Sequence, residues 1–113
     1  MASQSADPTL AEVMARLEAV IASRLGGDPA ASYTARLLAD PALAAKKMGE
    51  EAIETVIAAV RNDPTALAAE SADLIYHWLV LLASRGVSTG AVAAALAARE
   101  GVSGHAEKAA RKS

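Results

Sequence analysis

Five acidic residues in this chain have the types and spacing to do chemistry: Glu50, Glu51 and Glu54, followed by Glu70 and Asp73. Glu51 and Glu54 are three positions apart, so on a helix they share a face, and Glu70 and Asp73 repeat that spacing. Between the two groups lies Asn62-Asp63-Pro64, a turn short enough to make its flanking helices antiparallel neighbours. Counted from that turn, Glu54 falls level with Glu70 and Glu51 with Asp73. Each match is offset by about one residue, or roughly 1.5 Å of helix rise. The hairpin is therefore expected to bring together four carboxylates, two from each helix. Hard oxygen donors clustered in this way suit Mg²⁺ or Mn²⁺ and not zinc.

A solvated, ion-paired helix face is the competing reading. Lys46 and Glu50 are four apart, as are Lys47 and Glu51. Both pairs run Lys before Glu, the weaker order, worth at most about 0.2–0.5 kcal/mol each. Glu54 has Ile57 and Ala58, not a base, one turn on. Glu70 and Asp73 sit in an apolar segment with only His77 nearby as a possible cation. Facing carboxylates without counter-charge repel, and local conflict of that kind marks function more often than structure. A metal site is the better account.

The elements that must position these acids are helical. Thr9-Leu10-Ala11-Glu12 is a capping box, and Leu10, Val13, Leu17, Val20, Ile21 and Leu25 follow at helical spacing up to Gly26-Gly27. Asp28-Pro29 opens a short second helix running through Tyr33 to Leu38. Asp40-Pro41 opens a third, with Met48, Ala52, Val56 and Ala59 as its expected buried stripe, ending near Arg61. Pro64 starts a fourth that reaches about Arg85. Its stretch from Leu74 to Ala83 is apolar nearly all round, which implies burial on several sides. Ser88 caps a fifth, ending near Glu100-Gly101. No strand pattern and no tandem repeat is present. The class expected is an all-α helical bundle of about five helices, with residues 1–8 a disordered leader, 9–100 the domain and 101–113 a basic tail.

Composition narrows the partners. Of the 113 residues, 53% are hydrophobic, but alanine supplies much of that, and the aromatics are only Tyr33, Tyr76 and Trp78. A core so rich in alanine is thin, and a homodimer is expected to complete it. The chain has no cysteine, which excludes disulfides and thiolate chemistry and fits a cytoplasmic protein. A net charge of -2 argues against general nucleic-acid binding. The longest apolar run, Ala91 to Ala98, is too short for a membrane span, and no basic n-region precedes Arg16.

The acidic pattern resembles the EExxE…ExxD signature of the MazG-like all-α nucleotide pyrophosphohydrolases. Three further stretches are similar to the phosphoribosyl-ATP pyrophosphohydrolase branch: Ser32 to Leu38, Ala45 to Glu51 and Ala72 to His77. The tail from Ser103 to Ala109 resembles that branch as well, so the likeness runs from Thr9 to Arg111. It implies Mg²⁺-dependent hydrolysis of phosphoribosyl-ATP to phosphoribosyl-AMP and pyrophosphate, the second step of histidine biosynthesis. A chain of this length has no room for the cyclohydrolase domain fused to many relatives, so a separate cyclohydrolase is expected to take the product.

Roles follow from that chemistry. Glu51, Glu54, Glu70 and Asp73 are the expected metal ligands. Glu50 is the candidate to orient or deprotonate the attacking water, or to bind a further metal, so Glu50, Glu51 and Glu54 form the catalytic set. Lys46 or Lys47, and Arg36 from the preceding helix, are placed to neutralise phosphate charge. His77, four residues after Asp73, is either a partner of that ligand or a buried histidine satisfied by hydrogen bonds. Tyr33 and Thr34 contact base or ribose if the resemblance holds, and are ordinary helix-start residues otherwise. Trp78 suits a core or a dimer interface better than a base-stacking platform. Lys108, with His105, Arg111 and Lys112, either folds over the phosphates or stays solvated. Two other functions compete: a housecleaning nucleoside triphosphate pyrophosphohydrolase using the same carboxylates, and a non-enzymatic helical interaction module, which leaves the aligned acids unexplained.

Overall fold

The computed structural model describes residues 7–101. Among them are five helices and no strand: α1 (Leu10–Ser23), α2 (Tyr33–Leu38), α3 (Pro41–Val60), α4 (Pro64–Ser84) and α5 (Thr89–Ala97). The expected leader beyond Asp7 and the tail with His105, Lys108, Arg111 and Lys112 lie outside the described residues.

Every helix begins on a side-chain cap. Thr9 and Glu12 form the reciprocal capping box of α1, with the Thr9 hydroxyl accepting from the Glu12 N–H and the Glu12 carboxylate accepting from the Thr9 N–H. Asp40 and Asp63 cap α3 and α4, each followed by proline at the first helical position, where the missing N–H costs nothing. Ser32 caps α2, four residues later than the Asp28-Pro29 start expected from sequence (32 − 28 = 4). Asp28 instead closes a turn of its own, its carboxylate accepting from the Ala30 N–H at 2.9 Å and its carbonyl from Ala31 and Ser32.

The α3–α4 turn decides the rest. Asn62 stands at φ 56°, the left-handed region that asparagine tolerates better than most residues. Its N–H donates to the Ala59 carbonyl, and the next N–H, of Asp63, reaches back to Ala58. These two bonds make a Schellman ending that satisfies the last carbonyls of α3 and passes straight into the α4 cap. The two long helices then pack along their lengths as an antiparallel pair. α2 lies against both, and α1 packs on α4.

The core gathers where these helices meet: Ile21 from α1, Leu37 and Leu38 from α2, Ala44 from α3, Leu79 and Val80 from α4. Trp78, Tyr76, Ile75, Met14 and Leu17 pack around it, partly buried. The stripe of α3 differs from the expected one. Ala44 and Ala58 are buried and Glu51 and Thr55 half-buried on the side toward α4; of the expected residues Met48 and Ala52 are half-buried, while Val56 and Ala59 are exposed. Alanine lies on several sides of α3, so periodicity alone fits more than one azimuth. α1 likewise buries only Ile21, leaving Leu10, Val13 and Val20 exposed, and Leu25, beyond the end of the helix, is exposed as well. α4 is long and apolar enough by composition to cross a bilayer, but here it supplies Leu79 and Val80 to the core and bears Glu70, Asp73 and His77.

Two substitutions rank these contributions. Leu37 is wholly buried, so Leu37→Ala is expected to lower the unfolding free energy by about 2–5 kcal/mol through lost burial and a cavity. Asp63→Ala removes only a cap and is expected to cost about 1 kcal/mol. Denaturant unfolding at one fixed protein concentration measures both.

Candidate metal centre

α3 and α4 bring carboxylates together across the hairpin. Oxygens of Glu51, Glu70 and Asp73 all lie within 4.8 Å of one another. Opposite ligands on an octahedral Mg²⁺ with bonds of about 2.1 Å stand roughly 4.2 Å apart, so a small side-chain adjustment closes the set on a cation. Glu51 thus faces both Glu70 and Asp73, rather than Asp73 alone. Glu54, one turn nearer the hairpin turn, stands outside that trio but presses on Glu70 through a hydrogen bond and its charge.

The electrostatics match. Glu70 has its pKa raised, first by desolvation and then by the charges of Glu54 and Glu51, the hydrogen bond with Glu54 and the charge of Asp73. Four carboxylates here share one field. The single ion pair among the described residues is Lys47 with Glu50, at 3.0 Å, so none of the four is neutralised by a salt bridge there. That pair is three apart in sequence, whereas Lys46–Glu50 and Lys47–Glu51 were the expected partners. An all-oxygen donor set with no salt-bridged counter-charge among the described residues fits a hard divalent cation.

Glu50 is turned toward Lys47. The hydrogen bond and charge of Lys47 hold its pKa below the ordinary glutamate value, with smaller help from Lys46 and His77. It is therefore ionised and a weak proton acceptor. Lys47 in turn has its pKa raised by Glu50 and remains a cation beside Tyr33 and Glu51. Lys46 and Arg36 are exposed, and Arg36 joins the charges around Tyr33. Lys108 lies outside the described residues.

His77 is buried, and the direction of one of its two bonds is fixed. Nδ1 lies 2.8 Å from the backbone carbonyl of Asp73, which can only accept, so Nδ1 carries the proton. In the neutral ring Nε2 then accepts, and the donor is the Tyr33 hydroxyl at 3.1 Å. Tyr33 has its pKa raised, chiefly by burial, and keeps that proton. His77 therefore touches the Asp73 backbone and not its carboxylate. Alongside, Thr34 and Tyr76 share a hydroxyl–hydroxyl hydrogen bond. The first turn of α2 is thus tied twice to α4, one turn from Asp73. Tyr76 is the residue that sequence reasoning passed over as a site member. Its only signal was adjacency to His77, matching the adjacency of Tyr33 and Thr34.

Comparison with known proteins adds a second line. A family model described as phosphoribosyl-ATP pyrophosphohydrolase matches residues 14–100. A protein of Caulobacter sp. (strain K31) named phosphoribosyl-ATP pyrophosphatase is 70% identical over 104 residues, covering 92% of this chain and 97% of that one. Proteins of the same name from Caulobacter vibrioides (strain NA1000 / CB15N) and Methylobacterium radiotolerans are 68% and 56% identical, each over 90% of this chain and 95% and 96% of their own.

Glu70 makes the cluster testable without substrate. Its folded pKa lies above the ordinary 4.5, so the folded state holds a proton that the unfolded state has released. Stability of the metal-free protein is therefore expected to fall as pH rises from 4.5 through the raised value. Glu70→Gln should flatten that slope and be at least as stable as wild type at neutral pH. Denaturation midpoints across this range, in chelator, check it.

Proposed function

The chain belongs to the phosphoribosyl-ATP pyrophosphohydrolase family, and we propose that it hydrolyses phosphoribosyl-ATP to phosphoribosyl-AMP and pyrophosphate in histidine biosynthesis. The observation that carries the reading is the convergence of Glu51, Glu70 and Asp73, with Glu54 against Glu70 and no salt-bridging cation among the described residues.

Glu51, Glu54, Glu70 and Asp73 are the residues to hold Mg²⁺, with Mn²⁺ a substitute. When bound, the cation supplies positive charge to the phosphate oxygens and polarises water. In the reaction a P–O bond forms from water while the bridging P–O bond to pyrophosphate breaks. Glu50, kept ionised by Lys47, suits orienting that water by accepting its hydrogen bond, and suits deprotonating it less well. Lys47, Lys46 and Arg36 supply cations for the departing pyrophosphate. Tyr33 has its hydroxyl proton engaged with His77, so its exposed ring and oxygen lone pairs remain for base or ribose. Thr34 is steadied by Tyr76. The same reading makes the protein a cytoplasmic homodimer whose product passes to a separate cyclohydrolase.

Glu54→Gln should abolish Mg²⁺-dependent pyrophosphate release and leave the fold intact. The side chain keeps its size, and one negative charge leaves a repelling cluster. Wild type should gain thermal stability on adding Mg²⁺, since a ligand that binds the folded state stabilises it, and the variant should lose most of that gain. Normal turnover by Glu54→Gln would remove Glu54 from the site. Turnover of phosphoribosyl-ATP should far exceed that of a panel of deoxynucleoside triphosphates; the reverse order would assign the fold to nucleotide housecleaning.

A further inference from the structure

His77 is the one buried polar residue among those described, and both of its ring nitrogens are bonded. The first bond is made within its own helix. Nδ1–H donates to the carbonyl of Asp73, four residues back on α4, at 2.8 Å. In a helix that carbonyl also accepts the backbone N–H four residues on, and its two lone pairs serve both donors. A bond so local sets the direction of the imidazole before any contact with another helix. Two aromatic rings then flank it edge-on, Tyr76 with centroids 4.9 Å apart at 85° and Tyr33 at 6.0 Å and 76°. Nε2 is left pointing from α4 to α2, where it meets the Tyr33 hydroxyl at 3.1 Å.

Tyr33 is 46% exposed and stands at the first position of α2. A side chain so placed changes rotamer readily unless its far end is tied. The tie is not needed to dock α2. Ala35, Leu37 and Leu38 bury that helix, and the Thr34–Tyr76 bond holds the same turn. A buried histidine needs partners for its own sake, but an apolar ring between the two tyrosines would fill the space without that demand. What the histidine adds is a fixed aim for the Tyr33 hydroxyl. That aim matters where Tyr33 stands, because the charges of Lys47, Glu51 and Arg36 all reach it.

We propose that His77 is a positioning residue for the hydrolysis of phosphoribosyl-ATP: held by the Asp73 carbonyl, it keeps the Tyr33 side chain in the orientation that receives the nucleoside part of the substrate. The proposal rests on the preceding section for its substrate. His77 acts through Tyr33 and not through the Asp73 carboxylate, so it bears on substrate affinity and leaves the cation alone.

Steady-state kinetics on phosphoribosyl-ATP, with Mn²⁺ titrated separately in the absence of substrate, test it. Two amides divide the histidine between them: asparagine carries a nitrogen near Nδ1, and glutamine one near Nε2. His77→Asn keeps the Asp73 bond and loses Tyr33. It should raise KM about fivefold, the worth of one hydrogen bond, with kcat and Mn²⁺ affinity near their wild-type values. His77→Gln, which reaches Tyr33, should recover most of that loss. In a Tyr33→Phe background His77→Asn should raise KM no further, since the two act as one unit. If His77→Asn does not fold, the imidazole ¹⁵N signals of wild type take its place. Adding phosphoribosyl-AMP in chelator should shift Nε2 of His77 in wild type and not in Tyr33→Phe, and an unmoved wild-type signal overturns the proposal. An unchanged KM in His77→Asn, a fall in its Mn²⁺ affinity, a His77→Gln variant no better, or effects that add in full with Tyr33→Phe overturn the positioning role and leave the hydrolytic reading standing. A wild type that does not turn over phosphoribosyl-ATP overturns both.

Discussion

Like-charge repulsion across the α3–α4 hairpin is the interaction against which this structure is built. Oxygens of Glu51, Glu70 and Asp73 lie within 4.8 Å of one another with Glu54 beside them, and the Glu70 pKa is raised first by desolvation and then by these neighbouring charges. Isolated side chains with these charges would separate. They stay together because the backbone that carries them is pinned elsewhere: by the Schellman turn at Asn62, by the Asp63 cap, and by Ala44 and Ala58 buried on the α3 side that faces α4. Alanine is important here for what it lacks. Small side chains on the inner face let the helices approach closely enough for carboxylates from both to meet.

The surroundings divide the charge into two zones. Lys47 draws Glu50 aside and neutralises it, so the fifth acid leaves the cluster and is lowered in pKa while Glu70 is raised. Two glutamates of one helix hairpin thus have their pKa values moved in opposite directions, Glu70 up and Glu50 down. On the other side of Asp73, the Tyr33–His77 and Thr34–Tyr76 bonds fasten α2 to α4. The direction of the histidine bonds is imposed by a carbonyl that can only accept, which leaves Tyr33 as a donor to the protein and an acceptor toward solvent.

The apolar surface left over is as informative as the core. Six residues form the main buried cluster, while large aliphatics on α1 and α3 stay exposed. α5 buries no residue and is tied to α1 by the Thr89 hydroxyl donating to Glu18 at 2.7 Å. An alanine-rich chain makes helices readily and cores sparingly, which leaves these aliphatics on the surface of one copy.

Much of this was legible in the sequence. Caps at Thr9, Asp40, Asp63 and Ser88, prolines at first helical positions and the turn at Asn62 are local signals, each acting through hydrogen bonds within a few residues. The order of the helices and the acidic pairs on the hairpin follow from them, because helical rise converts sequence distance from a turn into height along the bundle. Azimuth is different. Whether α3 turns Ala44 and Ala58 inward, or Val56 and Ala59, depends on packing against α4, and alanine on several sides makes the choices look alike in one dimension. For the same reason the structure alone decided that Lys47 pairs with Glu50, that Glu51 faces two acids instead of one, and that α2 is capped by Ser32 with Tyr33 and Thr34 of its first turn bonded to α4. The two α2–α4 bonds join residues 44 and 42 positions apart, and only packing brings them within hydrogen-bond distance.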